Sequence, residues 1–216
     1  MKILAISDMH GDLSPAKRLL SERNWDLVLC CGDWGDPNQV TERDFQELLD
    51  LARIHTVFGN HDDRELLERL GNRDGSPLLL ENAVGMDFQG LTIVGISGIW
   101  AKSHRLPWYV TDEDVASLGK TSPKPDILIT HCCAVGLNDL TPTNRHGGHL
   151  CLTELFAALG PRVHISGHLH RAQVRQLKSS AWVANTGSTR DGDYLIITNV
   201  SDDWSVEQRR VQADGP

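Results

Sequence analysis

Eight side chains that could bind a metal or move a proton sit at the ends of short apolar runs. They are Asp8 and His10 in SDMHGD, Asp33 in GDWGDP, Asn60 and His61 in GNHDD, His131 after DILIT, and His168 and His170 in GHLH. GNHDD is the densest of these clusters. Its glycine permits a sharp or left-handed turn, and an amide, an imidazole and two carboxylates follow where a strand should end. Packing does not explain such a cluster, whereas the carboxyl ends of strands in α/β chains are where ligands bind. Asn60 is therefore expected to bind a metal and His61 to do acid chemistry. Two aspartates, one amide and four imidazoles make a hard-to-borderline donor set, suited to Mn²⁺, Fe or Zn²⁺ rather than Ca²⁺. In extended chain, residues two apart point to the same side, so the DxH and HxH pairs can each present both side chains to one ion. Seven ligands exceed one tetrahedral site and suit two ions sharing a carboxylate.

The elements that must carry these groups follow from the apolar periodicity. Lys2 to Ser7, Asp26 to Cys31 and Ile54 to Phe58 read as buried strands. Pro15 suits the first turn of a helix through about Arg23, with Ser14 as N-cap. A second, amphipathic helix spans roughly Val40 to Ala52 through Phe45, Leu48, Leu49 and Ala52. Strand–helix alternation argues for parallel strands with crossover helices, their polar ends on one shared edge. A short helix over 64–70 closes at Gly71. From Leu78 to Ser97 two or three short runs broken by Asn, Gly and Gln-Gly read as hairpins. A helix follows from Thr111 to Leu118, with Thr111 and Asp114 as an approximate capping box. Asp126 to Thr130 and Arg162 to Ser166 are further buried strands, separated by a helix from Leu150 to Leu159. Strand candidates near 173–177, 181–185, 193–198 and 204–209 are antiparallel in texture, and Ala213 to Pro216 read as a frayed tail.

Composition bounds the function. At 216 residues the chain fits one domain, 1–216, and its net charge of −8 disfavours a duplex-binding surface. Nucleic acid is thus a disfavoured partner, but a small anionic substrate is not excluded, because bound cations can dominate the local charge. The five cysteines are odd in number and form no CxxC, which is not a secreted disulfide framework. MKILAISDMHGD reaches acidic residues within its first eight positions, so no signal-peptide core is expected. No run approaches a membrane span, and a cytoplasmic setting is the expectation.

The ordered set DMH, GD, GNHD, TH and GHLH resembles the calcineurin-like metallophosphoesterase superfamily, in the manner of its small bacterial and archaeal predicted phosphoesterases. Single motifs such as DxH or GD are weak; the ordered set, running from Asp8 to His170, is highly specific. The resemblance implies a four-layer α/β/β/α sandwich, two mixed sheets flanked by helices, with the metal site at strand carboxyl ends. It implies that Asp8, His10, Asp33 and His170 hold one ion and that Asp33, Asn60, His131 and His168 hold the second, Asp33 bridging. Two such ions, of which Mn is favoured, lower the pKa of a bound water and clamp phosphoryl oxygens for in-line attack. The implied activity is hydrolysis of a phosphate ester in a small phosphorylated substrate, a nucleotide among the candidates, with a phosphodiester slightly preferred over a monoester. His61, as imidazolium, would protonate the leaving group, and Asp62 or Asp63 would orient it and favour its charged form. The alternatives are a nuclease and a non-catalytic metal-holding scaffold. GDWGDP lacks the arginine and following glycine of GDxVDRG, which argues against a Ser/Thr protein phosphatase. NTGS at Asn185 to Ser188 resembles the NPGS usually found after GHxH, with Thr186 in place of proline.

Other residues admit two readings. Trp100, His104, Arg105, Trp108 and Tyr109 either line a nucleotide-stacking pocket, with Arg105 on a phosphate, or pack as a loop. His146 and His149 either contact substrate or are ordinary loop histidines. Asp36 either supports the site or caps the turn before Pro37. His55 and His164 are expected in the core, the cysteines as small buried fillers, and Trp25, Trp182 and Trp204 as packing.

Overall fold

The computed structural model describes residues 1–22 and 24–211; the proposed tail, Ala213 to Pro216, lies outside them. Two mixed sheets stack face to face. The first is built from β1 (Lys2–Ile6), β2 (Leu27–Cys30), β3 (Ile54–Thr56), β12 (Asp193–Val200) and β13 (Asp203–Arg210), in the order β13-β12-β1-β2-β3. Strands β1, β2 and β3 run parallel, and β12 and β13 add antiparallel. The second is built from β4 (Gly85–Phe88), β5 (Leu91–Ile96), β8 (Ile127–Thr130), β9 (Val163–Ser166), β10 (Gln173–Gln176) and β11 (Trp182–Asn185), in the order β10-β11-β9-β8-β5-β4. Its four central strands are parallel, and β4 and β10 close the edges antiparallel. Two residues each of β6 (Ile99–Trp100) and β7 (Tyr109–Val110) form a small parallel pair.

Side-chain alternation along the strands explains why there are four layers. In β1 and β2, Leu4, Ile6, Val28 and Cys30 face a cluster with α1 (Ser14–Ser21), α2 (Glu42–Leu49) and α3 (Arg64–Arg69). Their neighbours Ile3, Ala5, Leu27 and Leu29 face the other way and meet Ile93, Ile127, Ile129, Val163 and Ile165 of the second sheet. That sheet's opposite face, through Val94, Ile96 and Leu128, packs on α4 (Asp112–Thr121) and α5 (Leu150–Leu159). Near-continuous apolar strands are what a sheet covered on both faces requires. The fold is the mixed α/β sandwich expected from the motifs, and among the described residues no helix is long and apolar enough to cross a membrane.

Boundaries differ locally for identifiable reasons. Helix α1 is N-capped by Leu13, not Ser14, and has no side-chain cap; Pro15 lies inside its first turn. Helix α2 starts two residues later than its periodicity predicts, because Thr41 and Asp44 close a full capping box there. The Thr111–Asp114 box also forms, and α4 runs on to Thr121. Of the runs between Leu78 and Ser97, only β4 and β5 pair as a hairpin, turning on Gln89 and Gly90, both at positive φ.

The largest correction concerns the edge. The functional strand ends do not share one sheet. Strands β1, β2 and β3 belong to the first sheet, β8 and β9 to the second. The site therefore bridges the two sheets at one end of the sandwich.

Candidate metal centre

Each of these strands stops just short of its functional residues, and the chain then turns sharply. Asp8, His10, Asp33, His168 and His170 all adopt positive φ, between 46° and 69°. The DxH and HxH pairs are thus not extended, as the spacing argument assumed. The last ladder residues are Ile6 and Ser166, and the pairs sit beyond them. Left-handed backbone is uncommon outside glycine, though Asp and His tolerate it better than most. At a functional site it costs of order 1–3 kcal/mol per residue and persists only where surrounding contacts over-determine it.

Those contacts are present. The Asp8 N–H donates to the Gly32 carbonyl (3.0 Å), the His10 N–H to that of Asp33 (3.0 Å), and the Gly167 N–H to that of His131 (3.1 Å). The His61 N–H donates to Asp33 Oδ1 (2.8 Å), which leaves Oδ2 facing inward. That oxygen lies 3.9 Å from His10 Nε2 and 3.5 Å from His131 Nε2, so one carboxylate oxygen faces two groups of ligands. On the His10 side, His10 Nε2 and His170 Nε2 are 3.0 Å apart, and His170 Nε2 is 3.2 Å from Asp8 Oδ1. On the other side, the His131 and His168 rings meet edge to face with centroids 5.0 Å apart.

Two orphaned atoms test whether these residues fit a metal. His131 is fully buried, and its Nδ1 bonds the Cys31 carbonyl at 2.6 Å. That bond keeps a proton on Nδ1 and turns Nε2, which is buried and makes no hydrogen bond, toward Asp33 Oδ2 at 3.5 Å. The Asn60 Oδ1 is likewise buried and unpartnered. An acceptor such as Asn60 Oδ1 left unsatisfied is costly, and a cation would satisfy it and take the place of a proton on His131 Nε2. Burial, with the His131 charge, pulls His168 down to about 4, so its ring is neutral at pH 7 as a metal ligand must be. Asp8 is lowered: burial opposes its ionisation, but hydrogen bonding to His170 and Ser7 and the His131 charge prevail.

Gly59 is required for space and not for a turn. It is not among the positive-φ glycines, yet a Cβ there would run into Asp33 Oδ1 and the His131 ring. Only a hydrogen lets the chain leaving β3 pass this close to the Asp33 carboxylate.

His61 lies at the mouth of the cluster, its ring edge-on to His10 with centroids 5.0 Å apart. One of its ring nitrogens groups with His10 and Asp33 closely enough to form a third candidate ligand set. The carboxylate that meets it is Asp36, with Nδ1 to Oδ1 at 3.0 Å. Neither Asp62 nor Asp63 takes that place. The Asp62 carboxylate accepts the backbone N–H groups of Asp33 (2.8 Å), Trp34 (2.7 Å) and Gly59 (2.7 Å), tying the GD and GNHD turns together. Desolvation and the Asp33 charge push it up to about 7. Asp63 caps α3, accepting from the Leu66 N–H.

A model of the calcineurin-like phosphoesterase superfamily domain matches residues 1–195, a span that includes every one of these groups. The chain belongs to that superfamily. An uncharacterized protein of Methanocaldococcus jannaschii is 31% identical over 122 residues, 53% of this chain and 51% of that protein. The lariat debranching enzyme of Arabidopsis thaliana is 26% identical over 182 residues, 64% of this chain and 44% of that enzyme. The chain thus spans about half the length of these curated relatives. In fold, a solved structure from Thermus thermophilus superposes with a TM-score of 0.69 at 16% identity, covering 98% of this chain and 99% of that one.

Within this superfamily fold the remaining sequence candidates scatter around the site. The Trp100 ring stacks on His149 (centroids 4.6 Å, 21°) and its Nε1–H donates to Asp112 Oδ1 (2.6 Å), so both its face and its polar edge are engaged within the protein. His104 is bonded to Asp114 (2.5 Å). Arg105 is exposed on the same loop. Trp108 and Tyr109 meet edge to face, half-buried. His146 binds the buried Asp139 through Nδ1 (2.9 Å), with most of its ring in solvent. His55 and His164 are buried, on Pro77 and Thr130 respectively. All five cysteines are buried and free. Trp25 donates to the Leu19 carbonyl, and Trp182 to that of Trp204. Sequence reasoning missed Ser7, whose hydroxyl donates to Asp8 Oδ2 (2.5 Å), and left Asp36 undecided. The signal for Asp36 was its position three residues after Asp33 in the same turn.

Proposed function

We propose that this superfamily member is a metal-dependent phosphoesterase acting on a small phosphorylated substrate. Asp8, His10, Asp33 and His170 would hold one divalent ion, and Asp33, Asn60, His131 and His168 the other, Mn being favoured. The observation that carries this reading is the convergence of Asp33 Oδ2 with His131 and His168 on one side and His10 on the other, next to a chain whose Asn60 Oδ1 is buried and unpartnered. When bound, the ions supply Lewis acidity toward the phosphoryl oxygens and an activated water. The chain's own contribution is proton delivery. His61, as imidazolium, donates to the leaving-group oxygen, and Asp36 on Nδ1 holds the ring at the mouth of the cluster. No protein nucleophile is needed. This arrangement also weighs against a non-catalytic scaffold, which has no use for an oriented proton donor.

A phosphodiester is favoured over a monoester. Trp100 is engaged by His149 and Asp112, so that preference rests on Arg105, Trp108 and Tyr109. The net charge of −8 speaks against a nuclease, and five cysteines without a disulfide suit a cytoplasmic setting. The test is turnover of bis-p-nitrophenyl phosphate and p-nitrophenyl phosphate by the Mn²⁺-loaded protein, beside His61→Ala. The variant is expected to keep both ions and lose about 10²–10⁴-fold in kcat. A fully active variant would remove His61 from the mechanism, and faster monoester turnover would reverse the substrate preference.

A further inference from the structure

One peptide unit, between Gly167 and His168, touches both halves of the proposed metal centre. Its N–H side points at Asp8: the His168 N–H donates to Oδ2 at 3.0 Å and Oδ1 at 3.2 Å. With the Ser7 hydroxyl also on Oδ2 (2.5 Å), that oxygen is held from behind, and Oδ1 is left toward His170 and His10. The same unit carries the His168 side chain to the other half. Its orientation therefore sets an Asp8 oxygen and a His168 nitrogen together.

What fixes the plane is its carbonyl side. Besides the neighbouring Leu169 N–H at 2.8 Å, the Gly167 carbonyl accepts from two side chains, Asn185 Nδ2 at 2.7 Å and Cys133 Sγ at 3.3 Å. These two partners are themselves clamped. Asn185 is fully buried, its Oδ1 takes the Gly187 N–H (2.8 Å), and its Nδ2 also reaches Cys133 Sγ (3.1 Å). Ser166 Oγ donates to the same sulfur (3.2 Å) and accepts from Asn138 Nδ2 (2.7 Å), which also holds the Ala184 carbonyl. His168 sits at φ 69°, and a left-handed non-glycine residue persists only where its surroundings hold it. Gly167 itself has no room for a Cβ against Ser7 and Asp8, so the turn cannot relax in that direction.

We infer that Asn185 and Cys133 are positioning residues of the metal centre, setting the Gly167–His168 peptide plane and through it Asp8 and His168 together. The inference rests on the metal reading above. It also gives NTGS a specific role. The asparagine reaches across from the end of β11 to lock the GHLH turn, and Thr186 in place of proline leaves that contact intact.

The test is Mn²⁺ binding by calorimetry, with bound metal counted by elemental analysis, for the wild-type chain, Asn185→Ala, Cys133→Ala and Cys133→Ser. Supporting groups behind metal ligands typically contribute about 10–100-fold in affinity. Asn185→Ala is expected to lose affinity in that range at both sites, and Cys133→Ala about 10-fold. Cys133→Ser, which keeps a donor, should stay within about 3-fold of wild type. Should Asn185→Ala fail to fold, the Ala–Ser contrast at 133 decides the matter alone. Lower melting temperatures with wild-type affinities would overturn the inference and leave the metal reading standing. Equal losses in Cys133→Ala and Cys133→Ser would overturn the role of the thiol as donor. No Mn²⁺ uptake by the wild-type chain would overturn both the metal reading and this inference.

Discussion

Removing and restoring divalent metal should change the stability of the fold by a predictable amount. Asn60 Oδ1 is a buried acceptor without a partner, and such a group costs about 1–3 kcal/mol. The metal-free chain thus carries about 1–3 kcal/mol of avoidable cost at this one place. An ion supplied at about 100 times its Kd adds about 2.7 kcal/mol per site by linkage. For a domain of 150–250 residues each kcal/mol is worth about 2–4 °C. One filled site should therefore raise the melting temperature by about 5–11 °C. The assay is thermal unfolding of chelator-stripped protein titrated with Mn²⁺, Zn²⁺ or Fe²⁺. Asn60→Ala separates the specific effect from ions gathered by exposed carboxylates. It deletes an oxygen that had no partner, so the metal-free variant should melt no lower than wild type, while its metal-induced shift should shrink by half or more. A wild-type chain indifferent to all three ions, or an Asn60→Ala chain with the full shift, would refute the reasoning.

Asp33→Asn should reduce bound Mn²⁺ from two ions to fewer than one, measured by elemental analysis, because Oδ2 faces both ligand groups; retention of two ions would end the shared-carboxylate assignment. Asp36→Asn should keep both metals and an unchanged KM but lower kcat by about tenfold or more; equal loss in KM would place Asp36 in substrate binding instead. Gly59→Ala should abolish metal binding while the sandwich still folds by circular dichroism, since its Cβ would displace Asp33 and His131. The metal-free chain should also be acid-labile. Burial holds His55 and His164 down to about 4, below an unfolded value of 6.5, so between those limits the unfolded chain binds more protons and stability falls as pH falls. At pH 5 the cost is roughly 2 kcal/mol for each histidine. Melting curves at pH 7.5 and 5 check this, and His55→Gln should recover part of the loss; a temperature independent of pH would contradict it.

The order of the central strands was legible because β1, β2, β8 and β9 are covered on both faces and are therefore apolar throughout, with a polar motif at their ends. Residues 2–7, 26–31, 126–130 and 162–166 announce themselves in that way. Which sheet each strand joins was not legible. That depends on pairing between segments far apart in the chain, such as β1 with β12, whose partners Leu4 and Ile196 are joined only in the fold. The single shared edge inferred from the alternation was consequently two edges facing one another. The candidate ligands needed no such knowledge, because residue type and motif order carried them. Their backbone state did require it, since nothing in DMH or GHLH announces a left-handed turn.

The proposed proton donor marks the boundary most clearly. The sequence places two carboxylates directly beside His61, and proximity along the chain favours them as its partners. In the fold, Asp62 is drawn away by three backbone amides and Asp63 by the first turn of α3. Both diversions arise because the turns after β2 and β3 and the first turn of α3 leave N–H groups to satisfy. The ring is then met by Asp36, from the turn after β2, a neighbour brought within reach by the parallel pairing of β2 and β3 and the bridge between Gly35 and Asp62. Adjacent residues serve the backbone, and a distant one serves the chemistry. If that division is right, Asp62→Asn should damage stability and metal binding together, whereas Asp36→Asn should touch neither and slow turnover alone. An Asp62→Asn variant that is stable and metal-loaded but slow would return the orienting role to Asp62.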